Sequence, residues 1–138
     1  MTKIRLKGRD IPLVYTVLDM KALQEEIGPL GELYGRILGI NQEDKKDTSR
    51  WGSPEHLAAL GKAIRILGNS GLEEAGENPD LTDRWVMRAI RPGQINEAGG
   101  ACIQAMNEGT DSEIPEENDG QPVDVTLEEM NKKKERDG

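Results

Sequence analysis

Two residues of this chain have types suited to covalent chemistry: His56, the sole histidine, and Cys102, the sole cysteine. Together they could form a nucleophile pair in which the imidazole takes the thiol proton and the sulfur attacks an acyl carbon. Cys102, however, falls on the apolar stripe of its helix, where a small buried thiol is the ordinary role. One histidine and one cysteine cannot supply the usual ligands of a zinc site. Glu25-Glu26 and Glu73-Glu74 are neighbours in sequence, so they point to different sides of a helix and suit solvation better than paired acid and base work. The glycines at 31, 35 and 39 suggest close helix approach, but no phosphate-binding loop of the Walker or Rossmann kind is present. No enzyme activity and no cofactor are expected.

What stands out is apolar surface without an obvious place in a core. Met87 lies off the face formed by Trp85, Val86, Ala89 and Ile90, and Trp51 sits in a polar loop just before a helix start. Both types suit a docking surface, methionine by adaptability and tryptophan by rigid area; the alternative is that each folds back over the core. The candidate partner-binding set is Trp51, Trp85, Met87, Leu57 and Leu60.

Charge is divided unevenly. Residues 1–107 carry 15 acidic and 14 basic side chains, whereas 108–138 carry 11 acidic and 4 basic, so most of the net charge of -8 lies at the end of the chain. The stretch 108–124 has seven carboxylates, two prolines and no lysine or arginine, which predicts a disordered acidic linker. The domain reading is a small helical body over 1–107 and an acidic tail over 108–138, with a possible short terminal helix around Val125, Leu127 and Met130. A balance this acidic argues against nucleic-acid binding. No apolar run approaches a membrane span, and no signal-peptide block follows the N-terminus, so a cytoplasmic protein is expected. With no Phe, two Trp and two Tyr, the core must be aliphatic.

The elements follow from periodicity. Ile4 and Leu6 alternate with polar residues, Gly8-Arg9-Asp10 supplies a turn, and Ile11, Leu13 and Tyr15 alternate again, which predicts a hairpin. Thr16 and Asp19 form a capping-box pattern, opening a helix with Val17, Met20, Leu23 and Ile27 on one face, stopped by Gly28-Pro29. A short helix follows over 30–38, with Leu30, Leu33, Tyr34 and Ile37 as its stripe and Gly39 as its end. After a polar loop over 41–50, Ser53-Pro54-Glu55 starts a helix whose Leu57, Leu60, Ile64 and Leu67 repeat up to Gly68-Asn69. Another begins at Asp80 or Thr82 and ends before Pro92; the last spans 94–107 with Ile95, Ala98, Cys102 and Met106 on one side. Gly99-Gly100 weakens it by roughly 2 kcal/mol relative to alanines, tolerable where another backbone packs close. The expected fold is mainly α (α+β): an N-terminal β-hairpin, a bundle of four to five short helices, then the tail.

In this order the chain resembles a tail assembly chaperone of long-tailed bacteriophages, of the kind also found in prophage-like elements of Gram-positive bacteria. The resemblance rests on the opening hairpin from Lys3 to Leu13 running straight into a helix, on Asn78-Pro79-Asp80-Leu81-Thr82-Asp83-Arg84-Trp85-Val86, and on the acidic tail ending in Val125-Thr126-Leu127-Glu128-Glu129-Met130-Asn131-Lys132-Lys133-Lys134. The segment 41–52 and the scarcity of aromatic residues depart from the family pattern. The resemblance implies a homo-oligomeric, non-enzymatic protein of the host cytoplasm that binds the long helical tape measure protein, keeps it soluble during tail morphogenesis, and is absent from the mature virion. It also implies contact with the tail tube protein through a longer form made by ribosomal slippage, for which the lysines 132–134 offer a site. Two other classes fit the sequence: a small DNA-binding regulator, with the helix from Ser53 and its successor as a helix-turn-helix, and a structural head or tail component of the virion.

Overall fold

The computed structural model describes residues 1–111. The expected tail linker past Asp111, the terminal segment around Val125, Leu127 and Met130, and the lysines 132–134 lie outside the described residues.

Strand β1 (Lys3–Leu6) pairs antiparallel with β2 (Arg9–Pro12), with Ile4 opposite Ile11 and Leu6 opposite Arg9. That register leaves a two-residue loop, Lys7-Gly8, with φ of 52° and 73°, the mirror-image turn whose twist matches the strands. The turn thus lies earlier than Gly8-Arg9-Asp10, and Arg9 joins the strand. Burial of Ile4, Leu6, Ile11 and Leu13 fixes the choice, since a one-residue slip would turn this set to solvent. The second strand also ends sooner than expected: the Leu13 amide still donates to the Thr2 carbonyl at 2.9 Å, but the Val14 amide turns to the Leu67 carbonyl at 3.1 Å.

Helix α1 (Val17–Glu26) opens with the expected capping box: the Asp19 amide donates to Thr16 Oγ1 at 3.4 Å and the Thr16 amide to Asp19 Oδ2 at 2.8 Å. Its buried side keeps Leu23 and, in part, Met20 and Ile27 of the expected face but not Val17. Asp19 and Leu23, one turn apart, are buried, while Val17 and Leu18 are 80% and 71% exposed.

A 3₁₀ turn (Leu30–Glu32) leads into α2 (Leu33–Leu38), closed by Gly39 at φ 73°. Leu33 and Ile37 are buried; Leu30 and Tyr34, expected on the same stripe, are partly exposed, and the Tyr34 hydroxyl donates to Asn107 Oδ1 at 2.5 Å.

Helix α3 (Pro54–Glu74), capped by Ser53, is the central element, against which β2, α1, α2, α4 and α5 all pack. It runs past Gly68-Asn69, where a stop was expected. Both residues serve the neighbouring chain instead. A Cβ on Gly68 would sit 2.6 Å from Leu81 Cδ1 and 3.0 Å from Ile11 Cγ2, while the Asn69 side chain clamps the backbone of Leu81, accepting from its amide at 2.9 Å and donating to its carbonyl at 3.1 Å. At Gly71 a Cβ would overlap the Pro12 carbonyl. Local sequence cannot tell a helix-stopping glycine from one that admits another backbone.

Helix α4 (Asp83–Ala89) is capped by Thr82, whose Oγ1 accepts from the Trp85 amide at 3.0 Å. After a second 3₁₀ turn (Pro92–Gln94), α5 (Ile95–Asp111) continues four residues beyond the expected end at Asn107. Of the pair Gly99-Gly100, only Gly99 meets a neighbour, a Cβ there coming within 3.2 Å of Leu38 Cδ2; Gly100 faces open space. The described residues therefore form an N-terminal hairpin and five α-helices around an aliphatic core. No helix among them is long and apolar enough to cross a membrane.

Candidate functional site

The residues with chemical potential are separated or occupied. Cys102 is fully buried on α5, and desolvation pushes its thiol pKa far up, so the nucleophilic thiolate is suppressed. His56, in the first turn of α3, is also buried and satisfied on both ring nitrogens: Nδ1 accepts from the Gly52 amide at 2.9 Å, and Nε2 lies 3.1 Å from the Ile37 carbonyl. This pairing selects the neutral tautomer protonated at Nε2. Desolvation lowers its pKa, opposed by the Ile37 hydrogen bond. The imidazole ties the loop before α3 to α2, and Gly39 makes room, since a Cβ there would come within 2.6 Å of Nδ1. Among the described residues no group of three or more His, Cys, Asp or Glu side chains could hold a metal ion.

A groove of about 590 Å³ lies at the head of α3, bounded by the end of α1, by α2 and by the loop before Ser53; Ala58, Ala59 and Ile27 line it with Arg36, Arg50 and Lys62. Its charges are largely engaged. Arg36 bonds Glu32 at 2.5 Å and the Ile27 carbonyl at 2.7 Å, and Lys62 pairs with Asp83 at 3.5 Å. Arg65 joins Glu26 of α1 to Asp83 of α4, the latter at 2.6 Å. Partial burial raises the cost of ionising Asp83, but the Arg65 and Lys62 charges outweigh it and hold its carboxyl below the usual range.

The five candidate docking residues do not form one patch. Leu60 is 2% exposed and belongs to the core, correcting its assignment to a partner surface; Leu57 is half-buried. Trp85 is half-buried with the Arg9 guanidinium 5.7 Å above its ring, and Arg9 is itself held by Asp80 at 2.9 Å. Trp51 remains 42% exposed at the edge of a shallow recess with Leu38 and Ile40; its Nε1 donates to Asn96 at 2.9 Å and its ring tilts against His56. Met87 is 43% exposed and lies on bare α3 backbone, its Sδ 2.5 Å from where a Gly61 Cβ would be. The most exposed apolar residues within helices are Val17 and Leu18; Val17 escaped sequence reasoning because it fits the spacing of an inward stripe with Met20, Leu23 and Ile27.

No known protein family, curated protein or solved structure matches this chain.

Proposed function

We propose that the chain is a tail assembly chaperone of a long-tailed phage or prophage-like element, holding the helical tape measure protein soluble in the bacterial cytoplasm while the tail tube is built. The observation that carries the reading is exposed apolar area on α1, on α4 and on the loop before α3. Val17, Leu18, Trp51 and Met87 are each more than two-fifths exposed, while the histidine and cysteine of the chain are buried. Apolar side chains set among charges suit repeated, shallow engagement of a long helix, several copies acting side by side and handing over to the tail tube protein through a longer form. Absence from the finished virion belongs to the same proposal.

The helix-turn-helix alternative draws no support from geometry. The link between α3 and α4 runs over 75–82, longer than the three or four residues such a motif uses. Co-expression tests the chaperone reading: a tape-measure fragment that is insoluble alone is expected in the soluble fraction with this chain, and unchanged insolubility would defeat it. Detection of the chain in purified particles would favour a structural virion component instead.

A further inference from the structure

The acids around α4 are already committed to other bases. Asp83 is held by Arg65 and Lys62, and Asp80 by Arg9. Arg84 and Arg88 of α4, and Arg91 just past its end, are exposed and form no ion pair with any described residue. Arg84, Met87 and Arg88 stand at positions i, i+3 and i+4, with the half-exposed Met87 thioether seated on Gly61 to one side of the arginine pair. A chain whose net charge is -8 thus presents a local cationic face flanked by an apolar side chain.

We propose that this α4 face docks an acidic amphipathic helix of a partner protein, with carboxylates one turn apart meeting Arg84 and Arg88 and an apolar side chain beside them resting on Met87. The assignment rests on the chaperone reading for the partner's long helical character and adds the surface and the charge pattern it recognises. Spacing supports the match. Residues four apart on a helix stand about 5–6 Å apart, so an acidic pair at that interval on a partner helix mirrors the arginine pair, and arginine's planar fork takes a carboxylate bidentately. A nucleic acid fits less well: α4 is seven residues long, and its face offers two arginines beside an apolar residue where duplex binders neutralise about 6–10 phosphates.

Nuclear magnetic resonance on the isotope-labelled full chain tests this with two synthetic helical peptides. Each carries a leucine flanked by charged residues at four-residue spacing, glutamates in one and lysines in the other. The glutamate peptide at millimolar concentration is expected to shift amides over 84–91, less so as salt rises, and the lysine peptide to leave them unmoved. The double variant Arg84→Glu/Arg88→Glu is expected to bind the glutamate peptide about tenfold more weakly, its remaining spectrum reporting an intact fold. Absence of shifts, shifts mapping elsewhere, or equal response to both peptides would overturn the assignment. It would also fall if 84–91 shifted with protein concentration alone, marking a second copy as the occupant, or more strongly with duplex DNA than with the peptide. Co-expression separates the two levels. If the tape-measure fragment stays insoluble while the peptide result holds, the chaperone reading alone fails; if it is solubilised equally by the double variant, the α4 assignment alone fails.

Discussion

At the scale of residues, exposure separates groups that the sequence treats alike. Leu18 and Leu60 are both leucines within helices, but one is 71% and the other 2% exposed. Leu60→Ala is expected to cost about 2–5 kcal/mol through lost burial and a residual cavity, whereas Leu18→Glu, an acid in the first turn of α1, is expected to change stability by no more than about 0.5 kcal/mol. Urea denaturation of the two variants measures the contrast, and similar losses would refute the outward placement of Leu18. His56 makes a second residue-scale prediction. Its folded pKa is depressed by burial below the ordinary 6.5, so the unfolded chain takes up the proton first. Stability is therefore full above about pH 6.5 and falls as the pH drops through that value. Because His56 is the only histidine and the depressed carboxyls of Asp80 and Asp83 titrate below their ordinary 3.8, melting temperatures measured between about pH 7.5 and 5 isolate this group. His56→Gln is expected to flatten the slope.

At the scale of elements, the hairpin is held by close backbone approach to α3. The Val14 amide reaches the Leu67 carbonyl, and Gly71 admits the Pro12 carbonyl where any side chain would overlap it. Alanine normally improves a helix interior by up to about 1 kcal/mol over glycine. Gly71→Ala is expected to invert that sign, destabilising by roughly 1–3 kcal/mol as the hairpin is forced away. Gly100→Ala, in open space on α5, should show the ordinary gain. Both values come from chemical denaturation; a stabilising Gly71→Ala would mean that the strand does not sit so close.

For the whole molecule, the two ends of the described chain meet. Thr2 Oγ1 donates to Glu108 at 2.8 Å, the Leu13 amide donates to the Thr2 carbonyl at 2.9 Å, and a Cβ on Gly109 would lie 2.5 Å from the Tyr15 carbonyl oxygen. The last turn of α5 thus belongs to the folded body, although it opens the acidic stretch of the sequence. A chain ending at Asp111 is expected to keep the circular dichroism and melting temperature of the full chain. One ending at Asn107 should melt lower, by about 4–8 °C for each kcal/mol lost. Equal melting of the two would show that the closing turn contributes nothing.

Much of this architecture was legible in the chain itself because its signals are local. The period-two alternation before Gly8, the Thr16 and Asp19 box, the Ser53-Pro54 start and the Thr82 cap each depend on residues within one turn of one another, and the hairpin and helices begin where those signals stand. The sequence also limited the usual zinc ligands to one histidine and one cysteine. What it could not determine were the properties that depend on a distant surface. Gly68 and Gly99 looked like a break and a weak point until the chains packed against them were in place. Val17 and Leu18 are left outward by the side of α1 that meets the body, and Leu60 is turned inward because α3 is surrounded on several sides. The cationic face of α4 is likewise a tertiary property: among the described residues Asp80 and Asp83 pair with Arg9, Lys62 and Arg65 from other elements, and Arg84 and Arg88 form no ion pair. Local sequence sets which backbone shapes are cheap, but burial and charge pairing are decided by which surfaces meet, and that requires the folded chain.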